Sequence, residues 1–380
     1  MDNKPQERGR AWIEIDLNAL ENNLEDIRRI IPQNCEIMAV VKANAYGHGV
    51  EGISRHLAAK GIKSFAVATV SEGVQLRQYV PQAEIIILGC THPGDAKFLY
   101  DNNLTQLVPD GAYAKALNDT QYKMKIHIAI DTGMHRLGID SSNYDEVESI
   151  FNLKNLTVEG TATHLASPDS TDKGEIEFTH KQLDLFNELV KKLKAQGLNA
   201  GKLHTRSSYG IYNYPELQSD YVRPGIMLYG IKSQNDETKV LANLRPVLSL
   251  KAIIAQVKWI EAGESVSYSR AFTAEKRIKT ATVCIGYADG FPRHASGKGA
   301  KAIVNGCVVP IIGKICMDML ILDVTDAKDT QAGDIATLIG KDGNEEIRCE
   351  DLAEIAGTIT NDILAGLSDR LPRVNIMERL

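Results

Sequence analysis

Eight short apolar runs, spaced through residues 37 to 230 and separated mostly by amphipathic stretches, constrain the fold of this chain more than any other feature. They read "IMAVVK", "FAVAT", "EIIIL", "LTQLV", "KIHIAI", "LTVEGTATH", "KLHTRS" and "YVRPGIMLYG". Between them lie helix-like segments such as "SEGVQLRQY" and "FTHKQLDLFNELVKKLKAQG". Ahead of the series, Asp16 is placed to cap a helix in which Leu17, Leu20, Leu24, Ile27 and Ile31 recur near helical spacing, and Pro32 stops it. Eight strands alternating with helices over this length match a (β/α)8 barrel. A doubly wound open sheet is less well supported, because no GxGxxG turn follows the first strand.

The pattern changes near "NLRPVLSLKAIIAQVKWI". Strand-like segments then follow one another through turns: "SVSYS", "KTATVCIGYADG", "KAIVNGCVVPIIGKICM", "LILDV" and "DIATLIG". Two helical pieces, "CEDLAEIAG" and "TNDILAGLSDRL", close the chain. The expected fold class is therefore α/β, with a TIM barrel over residues 1–243 and a mainly antiparallel β domain over residues 244–380.

Composition narrows the partners. A formal net charge of -6 over 380 residues argues against a nucleic-acid-binding surface. No apolar run approaches the roughly 18 residues of a membrane span, and "MDNKPQERGR" has no signal-peptide core. The six cysteines include no CxxC pair. Structural zinc is not expected, and reduced thiols in a cytoplasmic protein are.

In a barrel, the C-terminal ends of the strands converge on one mouth. Lys42 stands at such an end, as do Arg136, His164, Ser208 and Arg223. For any one of them a solvated strand end is the simpler reading; for the set, a shared pocket is. An amine in a partly desolvated, electropositive pocket loses its proton below the usual value of about 10.4 and becomes a Schiff-base nucleophile. Ser208 and the amides around Gly225 and Ile226 suit a phosphate. Amine plus phosphate site points to pyridoxal 5′-phosphate, although a class I aldolase also builds a lysine Schiff base on a barrel.

The motifs "AVVKANAYGHG", "IDTGMHRLG", "VRPGIMLYG", "VSYS", "IGYADGFPR" and "GKICMDM", in this order over nearly the whole chain, resemble the alanine racemase family. The resemblance implies a fold-type III barrel binding pyridoxal phosphate. It also implies a head-to-tail homodimer in which each active site is completed by the partner's β domain, and D-alanine destined for cell-wall precursors. Lys42 would carry the cofactor and act as base for the D-amino acid, and Tyr268 of the other subunit would serve the L-face. Tyr46 and Ser208, with the amides near Gly225 and Ile226, would hold the phosphate. Arg136 and Met317 would meet the substrate carboxylate, and Arg136 the cofactor's phenolic oxygen as well. His164 would lie against the pyridine ring, with His204 behind Arg223.

An arginine beside the pyridine nitrogen can donate a hydrogen bond but cannot protonate it. The ring is then a weak electron sink, which favours racemisation over the related fold-type III decarboxylases. A non-catalytic pyridoxal-phosphate carrier is a further alternative, one that would need no Tyr268.

Two positions depart from the family. Ala129 stands where many members carry a carbamylated lysine that steadies the arginine, so another acceptor or a bound anion such as chloride is expected beside Arg136. Asn361, in "GTITNDIL", replaces a usual tyrosine. A smaller side chain with both donor and acceptor would admit a serine hydroxymethyl. With "RAWIEIDL" and "IDTGMHRLG", this resembles the racemase domain of the serine/alanine racemases associated with vancomycin resistance. Those proteins also carry an N-terminal membrane domain, which is not expected here. The expected substrates are alanine and serine.

Overall fold

The computed structural model describes residues 8–234 and 238–376. Residues 1–7, on which much of the leader reading of "MDNKPQERGR" rests, lie outside them.

The first unit is a parallel barrel. Its strands run Glu36–Val40, Ser64–Val67, Glu84–Ile87, Thr105–Val108, Met124–Asp131, Leu156–Ala162 and Lys202–His204, and Tyr221–Val222 returns beside the first of them. The ring closes through Asp220 and Arg223, whose amides donate to the carbonyls of Leu203 and Arg206 at 2.9 Å each. Alternation along each strand splits the apolar residues in two. Met38, Val40, Ala66 and Ile86, with Tyr221, form a separate buried cluster on the inner face. Ile37, Ala39, Phe65, Val67, Ile85 and Ile87 pack outward into the main core.

The helices start where local chemistry directs. Asp16 caps Leu17–Ile30 by accepting from the Asn18 and Ala19 amides. Thr69 and Glu72 form a reciprocal capping box at Val70–Tyr79. Asp172 caps the 23-residue helix Lys173–Ala195.

The second unit is an antiparallel barrel. Ile335–Asp342, Lys301–Val304, Cys307–Ile312, Leu320–Asp323, Ile278–Val283 and Leu248–Ile260 pair in that order, and the last pairs back to the first. The hairpin turn at Asn305-Gly306 places both residues at positive φ, 52° and 72°, as a two-residue type I′ turn requires. The N-terminal strand Ala11–Asp16 also belongs here, antiparallel to Leu248–Ile260 and parallel to Arg373–Ile376. The span 1–243 expected for the barrel therefore includes one strand of the other sheet.

Three expected strands are shorter than their sequences suggest. "IMAVVK" ends at Val40, because the backbone turns left-handed just beyond Lys42. "YVRPGIMLYG" contributes only Tyr221–Val222 before Pro224, which lacks an amide donor, and continues as the 3-10 turn Ile226–Tyr229. "SVSYS" is strand only at Ser265–Val266, and Tyr268 opens the short turn Tyr268–Arg270.

Candidate active site

Lys42 begins an unusual stretch of backbone. Ala43, Asn44, Ala45 and Tyr46 take φ of 51°, 52°, 54° and 52°, one left-handed turn built without glycine. Such backbone costs roughly 1–2 kcal/mol per L-residue, so tertiary partners must hold it. The Ala43 amide donates to Glu72 Oε1 at 2.7 Å, and the Val50 amide to Asn44 Oδ1 at 2.8 Å. His48 Nδ1 donates to the carbonyls of Ala45 and Tyr46 at 3.0 and 2.8 Å. Its ring is stacked on Tyr229, with centroids 4.4 Å apart, and burial lowers its pKa to about 4, so it is neutral when clamping the turn. Gly47 follows at φ 79°, with no room for a Cβ against the Leu364 carbonyl.

The turn delivers the half-buried Lys42 side chain to a cavity of about 450 Å³ at the barrel mouth. Tyr46, Arg136, His164, His204, Ser208, Arg223, Gly225, Ile226 and Asn361 line the same cavity. Burial first, and the Arg136 guanidinium second, push the Lys42 amine below its ordinary range, while Glu72 opposes them.

At one end of the cavity, Ser208 opens the helix Ser208–Asn213, and its Oγ accepts from the amides of Gly225 at 2.9 Å and Met227 at 3.4 Å. A Cβ on Gly225 would lie 2.6 Å from Tyr46 Oη, so only glycine lets that phenol approach. Burial pushes Tyr46 up to about 12, keeping it a neutral donor. Hydroxyl, phenol and backbone amides converge here as an anion cradle would need.

Deeper in the barrel, Arg223 donates to His204 Nδ1 at 2.8 Å and to the carbonyls of His204 and Thr163 at 2.7 and 2.9 Å. A further contact joins it to His164 Nδ1 at 3.2 Å. Its pKa, lowered by burial to about 10, leaves it cationic at neutral pH. His164 is lowered to about 3, by burial and then by Arg223, Arg136 and Lys42. His204 Nε2 is 2.8 Å from His127 Nδ1. The arginine donation leaves His204 Nδ1 as acceptor, so Nε2 carries the proton toward His127. Arg223 is thus held by carbonyls and neutral imidazoles.

The other expected residues fall differently. Asn361 lines the cavity, and its buried Oδ1 has no hydrogen-bond partner among the described residues. Ala129 lines it too, and Arg136 is exposed with no hydrogen bond or ion pair to any described residue. Tyr268 and Met317 do not line it; they are 71% and 54% exposed. They form a second group on the β domain, their loops joined where Ser267 Oγ bonds both backbone groups of Lys314 at 2.8 Å.

Sequence reasoning missed Glu72, His48 and His127. The T-x-x-E spacing at Thr69–Glu72, not used in the sequence reading, is a signal for the cap but not for its reach to Ala43. His48 stood inside a quoted motif, and His127 alternated like any strand residue.

A parallel barrel with a partly desolvated amine at its mouth, followed by an antiparallel β barrel, defines a two-domain, lysine-centred barrel protein. The family description "Alanine racemase, N-terminal domain" matches residues 15–233, and "Alanine racemase, C-terminal domain" matches residues 247–375. An amino-acid racemase of Enterococcus faecalis is 44% identical over 97% of this chain, which spans 52% of that relative. The alanine racemase of Carboxydothermus hydrogenoformans is 38% identical over 96% of this chain and 99% of its own length. A crystal structure of alanine racemase from Bartonella henselae, with covalently bound pyridoxal phosphate, superposes with a TM-score of 0.85 at 30% identity, covering 97% of this chain and 100% of the other. The chain belongs to the alanine racemase family. The full length of some relatives is thus about twice what it spans. Among the described residues, no helix is long and apolar enough to cross a membrane.

Proposed function

We propose that this chain is a pyridoxal-phosphate-dependent amino-acid racemase of the cytoplasm that interconverts the L- and D-forms of alanine and of serine. It acts as a homodimer, with two bases on opposite faces of Cα. The cofactor fits the residues present: Ser208, Tyr46 and the amides at Gly225 and Ile226 would hold its phosphate, Lys42 would bind it covalently, and Arg223 would face its ring nitrogen. When bound, pyridoxal phosphate supplies stabilisation of negative charge at Cα.

The protein's own groups do the rest. Lys42 Nζ, its proton affinity lowered by burial and Arg136, takes or returns the Cα proton on the face used by the D-amino acid. Tyr268, exposed on the β domain, is available to the cavity of a second copy and serves the other face. Arg136, unpaired among the described residues, is available to a substrate carboxylate or a small anion such as chloride; Met317 would approach the carboxylate from the second copy. His164 presents a neutral flat ring.

The observation that carries racemisation over decarboxylation is the setting of Arg223. A guanidinium held by carbonyls and neutral imidazoles supplies no proton to a pyridine nitrogen, so the electron sink stays weak. Incubating the purified chain with L-alanine or L-serine and resolving products by chiral chromatography tests the reading. D-enantiomers are expected from both, whereas carbon dioxide release or unchanged substrate would refute it.

Serine rests on Asn361, whose unpartnered Oδ1 can accept from a hydroxyl while its amide donates. Asn361→Tyr is expected to lower kcat/KM for serine at least about tenfold more than for alanine, the scale of one lost hydrogen bond to a buried polar group. Equal losses for both substrates, measured on the same preparation, would remove Asn361 from the specificity argument.

A further inference from the structure

We propose that Glu72 is the positioning residue of Lys42, its carboxylate fastening the left-handed turn to the neighbouring strand end and keeping a negative charge beside the amine. The inference rests on the reading that Lys42 binds the cofactor.

Glu72 is the third residue of the helix Val70–Tyr79, where a capping box would occupy its side chain with the Thr69 amide alone. That bond is present, at 3.2 Å. Two shorter bonds leave the helix. Oε2 accepts from the Ala68 amide at 2.7 Å, just past the strand Ser64–Val67, and Oε1 accepts from the Ala43 amide at 2.7 Å. One carboxylate therefore ties together the ends of two adjacent strands, paired at Val40 and Ala66, where one of them becomes the turn that carries Lys42.

The helix cannot drift and take the carboxylate with it. A Cβ on Gly73, the next residue, would lie 2.7 Å from Ile87 Cδ1 and 3.0 Å from Leu104 Cδ1, so this end of the helix is pressed onto the barrel. Only a carboxylate suits the position. Its two oxygens serve three N–H donors, whereas glutamine would turn an NH₂ group toward at least one of them. The bond to Ala43 also lies at the first of the four left-handed residues, where a tether limits unwinding toward the favoured right-handed form.

The charge has a second effect. Among the described residues, the charged groups acting on the Lys42 amine are Arg136, which disfavours its protonation, and Glu72, which favours it; His164 and Tyr46, which line the same cavity, are neutral, and Asp131 there is bonded to His135. Removing the carboxylate leaves Arg136 unopposed, so the amine loses its proton at lower pH.

The test uses the full chain stripped of cofactor and titrated with pyridoxal phosphate, capture being followed by visible absorbance across a pH series. Wild-type capture checks the underlying reading: failure there would sink the cofactor assignment, not this inference. Glu72→Gln is expected to weaken capture about tenfold or more and to move its pH midpoint downward. Glu72→Asp, which keeps the charge but is one methylene too short to reach both strand ends, is expected to weaken capture with the midpoint unmoved. Thr69→Ala, which removes the hydroxyl of the helix cap and leaves the carboxylate bonds, is expected to stay within about twofold of wild type in both. The proposal is overturned if Glu72→Gln matches wild type in affinity and midpoint, or if Thr69→Ala reproduces its losses.

Discussion

Lys42→Ala is expected to lower racemisation of alanine by about 10⁴-fold or more. Proton transfer by a positioned base contributes roughly 10²–10⁴-fold, and in the proposed reading the same amine is also the covalent anchor of the cofactor. The loss should be one of chemistry, not of folding. The turn is held through Ala43, Asn44 and His48, and the Lys42 side chain makes no hydrogen bond to any described residue. Thermal unfolding of the cofactor-free chain should therefore match wild type closely, while the visible absorbance of bound cofactor disappears. A variant retaining a tenth of wild-type turnover would show that another group is the base.

Tyr268→Phe is expected to lower racemisation by about 10²–10⁴-fold, with an asymmetry that Lys42→Ala cannot show. With the phenol gone, the proposed mechanism leaves Lys42 to serve the face used by the D-enantiomer. In heavy water the variant should therefore wash deuterium into Cα of D-alanine faster than L-alanine forms, and L-alanine should keep its Cα proton. Proton NMR read alongside chiral chromatography measures both. Equal exchange into the two enantiomers would mean that Tyr268 is not the second base. Stability should be unaffected, because the side chain is mostly exposed.

The barrel was legible because its strands and helices alternate locally, and each inner face repeats every second residue, as at Met38 and Val40. The strand Ala11–Asp16 was harder to place. Its alternation identifies a strand, but its partners, such as Ala252 opposite Ala11 and Arg373 opposite Ile13, lie hundreds of residues away in the sequence. The turn after Lys42 was not legible at all. "KANAY" is built of residues that favour ordinary right-handed backbone, and the partners that impose the left-handed form, Glu72 above all, come from elsewhere in the chain.

The cavity was legible in outline, because a barrel gathers the residues that follow its strands; Lys42, His164, Ser208 and Arg223 all line it. Their electrostatics were not, since the proton affinities of His164 and Arg223 depend on depth and mutual contact. Tyr268 and Met317 stand apart on the β domain. The change of pattern near residue 244 places them in the second domain, but only the family resemblance assigned Tyr268 to a second copy.

That separation makes the shared site the most direct test of the account. Lys42→Ala and Tyr268→Phe should each be nearly inactive alone, but mixed dimers would combine an intact Lys42 from one subunit with an intact Tyr268 from the other. After dissociation and random reassociation of equal amounts, half the dimers would be mixed, and each would hold one complete site of two. The account predicts recovery of about a quarter of wild-type racemisation of L-alanine. Activity no higher than that of the separate variants, with mixed dimers verified by mass, would contradict it.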